Sequence, residues 1–454
     1  MQLHRPHPDR PSDHNMRSTT PSPRFGISVI LIVWVLGFFG PFSVRAQEPA
    51  EPDALAAEST FADPGASLSV HLLTAEPGDA IWELFGHNAL LIRDSDTGFE
   101  RVYHYGLFDM FAPGFKVRFL QGEMMYLVGG VDFQRFMSIY ERQNRKVWAQ
   151  HLNLSSTQKA RLYVFLETEI RPENREYRYE YFKNNCSTKL RDAINMLVSD
   201  QLREATEPDT AAITWRTHTA RLTAPKPLDY MGIQLLLGPK GDEVTTAWDE
   251  LWVPMKLRDT VAELTVRDED GEVVPLVLSE ELWTTSDRPA EATVPPRPYW
   301  MFLIAGVGFG GLILQTVRMG ATGSFLGRAT SALALSVWSL FCFLIGALLV
   351  AVHWTDHEFM YWNQNVLLFS PLGLALLFLL PRSAIRQGAG QWTQRLVVAS
   401  AGLAGLAALL WILPWTRQGN IEWILFALPV HAAIWWGVTR FWGSRRVSGE
   451  PALP

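Results

Sequence analysis

The chain has 454 residues, of which 48% are hydrophobic and 19% are charged, with a formal net charge of −6. That length allows two domains, and the composition also divides the chain, because no lysine and only four acidic residues follow Met301. The acidic balance and the lack of a basic cluster ahead of the apolar part argue against nucleic acid as a partner.

The N-terminus carries the pattern of a signal peptide. Residues 1–46 contain a polar stretch and then the apolar run Ile27–Gly40, and small residues follow at Val44 and Ala46, the −3 and −1 positions of a cleavage site. An uncleaved signal anchor is the alternative that the pattern leaves open. Residues 47–68 are rich in Ala, Glu and Pro, and we expect a linker there.

The polar part predicts one domain and a tether. Residues 69–258 mix strand and helix patterns and predict an α+β domain outside the membrane. Residues 259–298 alternate apolar and polar side chains in part and then carry several prolines, which predicts a small β region followed by a stiff tether. Residues 299–445 predict a five-helix transmembrane domain, and residues 446–454 a cytoplasmic tail.

Five apolar segments each approach the roughly 20 residues needed to cross the hydrocarbon of a bilayer. The segments are Trp300–Val317, Ala332–Val352, Phe359–Leu380, Leu396–Leu413 and Ile421–Trp442. Arg318, Arg382 and Arg445 follow the first, third and fifth segments. The loops after the second and fourth segments carry only one arginine between them, Arg417. Positive residues mark the cytoplasmic side, so the first segment should enter from outside and the C-terminus should lie in the cytoplasm. The signal peptide independently requires this orientation.

Two cysteines are present, and only Cys186 lies in the predicted exported domain. Cys342 falls in an apolar run and is predicted to be buried. Apolar residues recur at helical spacing after Cys186, and Asn184 or Asn185 can cap the helix, so the thiol is expected in the first helical turn. The free N–H groups and positive dipole there favour a thiolate and can stabilise an oxyanion. We therefore expect a nucleophile at Cys186, with Asn185 and Ser187 as oxyanion or capping candidates.

Two histidines belong to a predicted hairpin. A strand through His87 is followed by the turn Asp94–Gly98 and by a second strand that contains His104. Pairing about this turn would make His87 and His104 near neighbours. A histidine that arrives from elsewhere in the fold can act as base for a thiol, although a single histidine on a strand is more often structural.

Three motifs follow one another along the predicted exported domain. They are Phe85-Gly86-His87-Asn88, then Tyr103-His104-Tyr105-Gly106-Leu107-Phe108-Asp109, and then Asn185-Cys186-Ser187-Thr188-Lys189-Leu190-Arg191-Asp192. In this order they resemble the Lnb N-terminal periplasmic domain family, over roughly Ser69 to Pro254. The resemblance implies a permuted papain-like domain, similar to lecithin:retinol acyltransferase.

The resemblance also implies an activity and residue roles. It implies that an acyl chain moves within a bacterial lipoprotein, from the glycerol of the lipidated cysteine to its α-amino group, leaving a lyso form. Cys186 would then be the nucleophile that forms an acyl thioester, and His87 the base that activates it. His104 would stand at the position of an orienting third group, where family members often carry Asn.

Other residues near these motifs and near the membrane segments are candidates for guiding substrate: Tyr105, Arg191, His357, Asn363 and Asn365. For Arg191, a solvated position on the surface is the favoured interpretation. Asn363 and Asn365 are two apart in the sequence and are expected to point to different helix faces.

The resulting hypothesis is a membrane-anchored thiol acyltransferase or hydrolase that acts outside the bacterial cytoplasmic membrane on a membrane lipid or lipoprotein. Two alternatives stay open: a cell-wall peptidase or amidase with the same Cys-His site, and a non-catalytic envelope component that binds or transports. His353, Asp356 and His357 cluster without a clear fourth ligand, so no metal or other cofactor is predicted. The acyl donor, the acceptor and the oligomeric state stay open.

Overall fold

The structure of the chain, a computed structural model, describes residues 63–443. The predicted signal peptide (1–46), most of the predicted linker and the predicted tail (446–454) lie outside the described residues. Within them, residues 63–284 form what we call the sheet domain, and residues 299–442 form a helical bundle. The prediction of a domain of mixed strands and helices ahead of a helical membrane region is confirmed.

The strands of the sheet domain are β1 Leu68–Ala75, β2 His87–Asp94, β3 Glu100–Leu107, β4 Met125–Asp132, β5 Val147–Leu152, β6 Glu176–Arg178, β7 Thr210–Thr214, β8 Val244–Thr246, β9 Thr265–Arg267, β10 Val273–Pro275 and β11 Val277–Thr284. Seven of those described form one antiparallel sheet in the order β11-β5-β1-β2-β3-β4-β6. Strands β7 and β8 pair separately, as do β9 and β10.

The helices of this domain are α1 Phe115–Gln121, α2 Phe133–Arg142, α3 Ser156–Glu169, α4 Cys186–Leu197, α5 Gln201–Thr206, α6 Trp215–Thr223, α7 Pro227–Leu236, α8 Ala247–Glu250 and α9 Pro254–Glu263. Helix α4 packs on one face of the sheet, where Leu90 meets Ile194, and α2 packs on the other, where Leu91 meets Phe136. Because both faces are covered, β2 carries the continuous apolar run Ala89–Ile92. Each such buried side chain contributes roughly 2 kcal/mol to stability.

The region predicted as a separate small β unit is partly built into the main sheet. Strands β9 and β10 form a short pair, but β11 pairs with β5 and forms an edge of the seven-stranded sheet. The sequence pattern hid this strand because most of its side chains are exposed. The tether that follows also lies against the domain: Arg288 binds Asp79 at 2.6 Å, and Arg221 binds Glu291.

Five helices in the described part of the chain are long and apolar enough to cross a membrane. They comprise α10 Tyr299–Ala321, α11 Phe325–Ala351, the broken pair α12 Asn365–Leu368 and α13 Gly373–Arg386, α14 Gln391–Ile412, and α15 Ile421–Gly437 with its π-helical end Val438–Trp442. The third helix begins later than predicted, because Glu358–Met360 form a separate 3-10 turn. Pro371, which has no N–H to donate, lies between α12 and α13.

The loop before the third membrane helix holds the sheet domain on the bundle. Helix α7 ends at Leu236, and its last carbonyls have no partner within the helix. The buried Asn363 amide donates to the carbonyls of Leu235–Leu237 at 2.9–3.2 Å, and Asn365 donates to that of Leu235 at 2.8 Å. The expectation that the two asparagines point to different faces is wrong, because only Asn365 is helical and both amides converge on α7. We call this the asparagine clamp; it joins two regions and leaves neither amide free for substrate.

Substitution of Asn363 by alanine should loosen the clamp. It leaves the carbonyl of Leu236 and the N–H of Asn365 without their Asn363 partner, at a cost of roughly 1–3 kcal/mol for each unsatisfied buried group. The carbonyls of Leu235 and Leu237 keep other donors, from Asn365, Arg216 and Gln418. We expect a lower melting temperature of the detergent-solubilised protein and faster proteolysis between the sheet domain and the bundle. The matched control is Asn174→Ala, which removes an exposed amide that donates to one carbonyl. Equal effects of the two substitutions would contradict the clamp.

Candidate active site

The thiol of Cys186 stands at the first position of α4. Asn185 caps this helix: its side-chain oxygen accepts the N–H of Thr188 at 2.9 Å, and the Thr188 hydroxyl oxygen accepts the N–H of Asn185 at 2.8 Å. The Ser187 hydroxyl is buried and donates to the carbonyl of Leu251 at 2.7 Å. Both side chains therefore fix the start of the helix. The part of Ser187 that acts on the sulfur is its backbone N–H, which lowers the pKa of the Cys186 thiol.

Cys186 reaches the sheet at a place where β2 and β3 separate. The pairing of these strands ends at Leu90 and Tyr103, and β3 continues through an irregularity at Gly106, whose φ is +95°. A Cβ on Gly106 would lie 3.8 Å from that of Cys186, so the helix start lies directly at the gap. The backbone N–H of Asn88 belongs to the stretch of β2 that β3 leaves free, and it lies near enough to the sulfur to lower the pKa of the Cys186 thiol.

Two imidazoles meet at the same gap. His87 Nε2 and His104 Nδ1 are 3.2 Å apart, so one of these nitrogens donates to the other, and the ring planes are nearly perpendicular at 89°. The His104 ring also packs against Phe136, with 5.5 Å between centroids. His87 immediately precedes Asn88, so the imidazole and the thiol are found at the same end of β2. His104 engages Nε2 of His87, which leaves Nδ1 as the other ring nitrogen; within residues 63–443 no hydrogen bond joins either imidazole to the Cys186 sulfur.

Burial disfavours charge on the thiol and on both imidazoles of the site. Burial raises the pKa of the Cys186 thiol to about 11, although the backbone N–H groups around the sulfur oppose this shift. Burial also lowers the pKa of His87 well below its usual value, helped by His104 and Arg145, and lowers the pKa of His104 to about 4. The expectation that the helix N-terminus favours a thiolate is wrong, because desolvation of the sulfur outweighs the dipole.

Two contributors to the site carry no signal in the sequence. Asn88 acts through its backbone, which any residue type would supply. The buried Arg145 donates through Nε to the carbonyl of Glu76 at 2.6 Å and lies 4.8 Å from the ring centre of Tyr140. Its Nη2 has no hydrogen-bond partner within residues 63–443. Its charge disfavours an imidazolium at His87, and only the fold brings it there from the start of β5.

Three of the predicted substrate-guiding residues have structural partners. Tyr105 is buried, and its hydroxyl donates to a carboxylate of α3 at 3.2 Å. The solvated position expected for Arg191 is wrong: the side chain is buried, and its guanidinium lies 3.9 Å from the ring centre of Trp248, because α8 covers that side of α4. His357 Nε2 is 3.0 Å from the carbonyl oxygen of Phe119, so it joins the membrane loop to the sheet domain.

A thiol at a helix start, a histidine pair beside it and five membrane-length helices in the described residues define a membrane protein with a candidate Cys-His site. Residues 60–221 match the family model of the Lnb N-terminal periplasmic domain, and this part of the chain belongs to that family. The match contains Cys186, His87 and His104. No curated protein and no solved structure matches the chain. The permuted papain-like fold stays a prediction.

Alkylation of Cys186 should be slow at neutral pH and should accelerate as the pH rises towards 11. A thiol whose pKa rises from 9.0 to about 11 holds roughly 100-fold less thiolate at pH 7, and only the thiolate reacts. The rate can be measured with iodoacetamide on the Cys342→Ala variant, with the unfolded chain as the ordinary-thiol reference. Rapid labelling between about pH 5 and 7 would indicate a thiolate–imidazolium pair and contradict the neutral site.

Proposed function

We propose that the protein is a membrane-anchored thiol acyltransferase that works outside the cytoplasmic membrane on an acyl lipid or lipoprotein. The observation that carries the proposal is the gap between β2 and β3, where the Cys186 sulfur adjoins the strand end that bears the His87–His104 pair. Catalysis by a thiol requires a base within reach and a third group that orients the base. In this proposal Cys186 is the thiol, His87 is the base and His104 is the group that orients the base.

The reaction proceeds in two steps. The Cys186 sulfur attacks the carbonyl carbon of an ester while Nδ1 of His87 takes the thiol proton; a C–S bond forms, the ester C–O bond breaks, and the proton leaves with the alcohol. An amine, such as the α-amine of a lipoprotein, then attacks the thioester. A C–N bond forms, the C–S bond breaks, and the amine proton returns through His87 to the sulfur. With water in place of the amine, the same site is a hydrolase.

The backbone around the sulfur suits the charge that develops during attack. The N–H groups of Asn88, Cys186 and Ser187 all interact with the sulfur. A carbonyl under attack would bring its oxygen among them, where preorganised N–H donors stabilise an oxyanion most strongly because water is largely excluded. Burial disfavours the thiolate before substrate binds. The same burial strengthens the hydrogen bonds by which these N–H groups would stabilise the transition state.

The attachment of the sheet domain to the bundle favours a membrane-borne substrate over a soluble cell-wall peptide. Besides the asparagine clamp, several contacts at 2.5–3.0 Å join the two regions, among them the side-chain pairs Lys240 with Glu358, Arg178 with Asp356, and Tyr230 with Glu422. These contacts hold the thiol close to a bilayer, where acyl donors reside. The arginines that follow the first, third and fifth membrane segments favour an outer position for the sheet domain and a cytoplasmic C-terminus.

Replacement of Cys186 by alanine should abolish acyl transfer. Loss of the nucleophile lowers the rate by on the order of 10³-fold or more, because no thioester can form. In cells that carry only Cys186→Ala, tandem mass spectrometry of resident lipoproteins should find both acyl chains on the glycerol and none on the α-amine. The control is Cys342→Ala, which removes a thiol buried in the bundle. Unchanged N-acylation in the Cys186→Ala cells would contradict the proposal. Cleavage of muropeptides by the wild type but not by the variant would favour a peptidase.

Substitution of His104 should separate a positioning role from a merely structural one. His104→Ala removes the partner of His87 Nε2, so we expect kcat to fall by roughly 10–100-fold with little change in KM. His104→Asn should restore part of kcat, because its side-chain oxygen can accept the same hydrogen bond. Turnover and melting temperature are measured for both variants. Equal loss of kcat in the two, or recovery of stability without recovery of kcat, would refute the positioning role.

A further inference from the structure

An apolar surface surrounds α1. This helix, all of which the structure describes, buries none of its residues. Phe111, Val117 and Phe119 are 62%, 54% and 38% exposed, and we call these three side chains the α1 surface. Val117 and Phe119 are two residues apart, so apolar side chains are exposed on more than one side of this short helix. Several exposed apolar side chains on one segment are typical of a region that contacts a membrane or a partner.

The C-terminal end of α1 is bonded to the loop between the second and third membrane helices. The N–H of Asp356 donates to the carbonyl of Gln121 at 2.7 Å, and His357 Nε2 is 3.0 Å from the carbonyl oxygen of Phe119. Gly122 makes this approach possible: its φ is +76°, and a Cβ there would lie 2.8 Å from the backbone of Asp356. The position of α1 is therefore set by the membrane loop.

The surroundings of α1 have the composition of a membrane interface. Trp354 and Trp362 of the same loop are 72% and 79% exposed, and Trp415 between the fourth and fifth membrane helices is 80% exposed. Exposed tryptophans at the ends of membrane helices belong at the level of the lipid headgroups. Lys116 and Arg118 add positive charge to α1, which attracts anionic headgroups. Charge and apolar exposure thus both fit a lipid surface.

A row of aromatic rings leads from the thiol to the α1 surface. The distances between neighbouring ring centres are 4.3 Å for Tyr179–Tyr126, 4.9 Å for Tyr126–Phe108, 5.7 Å for Phe108–Phe115 and 6.1 Å for Phe115–Phe119. At the inner end, Tyr177, two residues before Tyr179, packs against the same hydrophobic cluster as Cys186. The pKa of Tyr179 is raised mainly by burial and further by Cys186. The row thus joins the α1 surface to the surroundings of Cys186.

We propose that the α1 surface lies in the outer leaflet of the membrane and that the ring row guides the acyl chain of a membrane lipid to Cys186. The occupant of the surface is lipid, because the surface is continuous with the membrane loop and carries basic side chains. The guiding step rests on the proposed acyl transfer, whereas insertion into the leaflet does not.

Photocrosslinking of the full-length protein in vesicles tests the insertion. A benzophenone amino acid replaces Phe119, Val117 or, as an apolar control on α3 that is 63% exposed, Val164. The vesicles contain phosphatidylethanolamine and phosphatidylglycerol, and intact mass after irradiation identifies lipid adducts. We expect adducts at 117 and 119 at least tenfold above those at 164. Equal adducts at all three positions, no adduct at 117 and 119, or a protein adduct in cells would overturn the proposal.

A second measurement separates this inference from the proposed reaction. The double variant Val117→Ser with Phe119→Ser should lower kcat/KM for vesicle-borne acyl donor about tenfold and leave the hydrolysis of a soluble short-chain thioester unchanged. Equal loss on both substrates would overturn the guiding role. Lipid adducts with no acyl transfer by the wild type would leave the insertion standing and refute the proposed function alone.

Discussion

The separation of β2 from β3 governs the arrangement of the candidate site. In an antiparallel pair that continued past Leu90 and Tyr103, the N–H of Asn88 would lie beside a strand carbonyl, and the start of α4 would have no place. Farther along β3, its pairing with β4 is irregular at Gly106. A backbone donor that the separation of β2 from β3 leaves free needs another acceptor, and the N–H of Asn88 lies near enough to the Cys186 sulfur to lower the pKa of its thiol. One break in pairing therefore locates the thiol and provides its N–H partner.

The same break connects the two faces of the sheet. Helix α4 covers the face that carries Leu90, whereas His104 packs against Phe136 of α2 on the opposite face. A continuous sheet would keep the thiol and the imidazoles apart. In the reaction that we propose, the proton would pass from the sulfur to the imidazole through this gap.

The local features of the site were predictable from the sequence, and the features set by distant parts of the chain were not. The capped helix at Cys186 and the proximity of His87 and His104 follow from spacing within one helix and one hairpin, and the structure shows both. The burial of Arg191 depends on α8, which is distant in sequence. A helix dipole can be inferred from sequence, but the desolvation that opposes it depends on the whole fold.

Errors at the domain level have the same origin. Strand β11 is an exposed edge strand, so it lacks the apolar alternation by which strands are recognised. The asparagine clamp joins Asn363 to the end of α7, a contact between residues far apart in the chain. The spacing of Asn363 and Asn365 would place the two amides on different faces of a helix. They converge on α7 because the chain at Asn363 is not helical. Periodicity detects elements that bury one face, and it cannot detect contacts between loops and helix ends.

The clamp is built from uncharged groups. Neutral amides close it on α7, whereas the buried charges near it are paired or hydrogen-bonded: Arg216 binds Asp242 at 2.7 Å, and Glu422 accepts a hydrogen bond from the hydroxyl of Tyr230. At the site, burial disfavours charge on the thiol and on both imidazoles, and Arg145 opposes an imidazolium at His87. In the acyl transfer that we propose, charge therefore has to arise during the reaction, when the oxygen of the ester carbonyl takes up negative charge beside the backbone N–H groups. A thiol of this kind would react only when the substrate is bound, because the substrate itself completes the electrostatic arrangement.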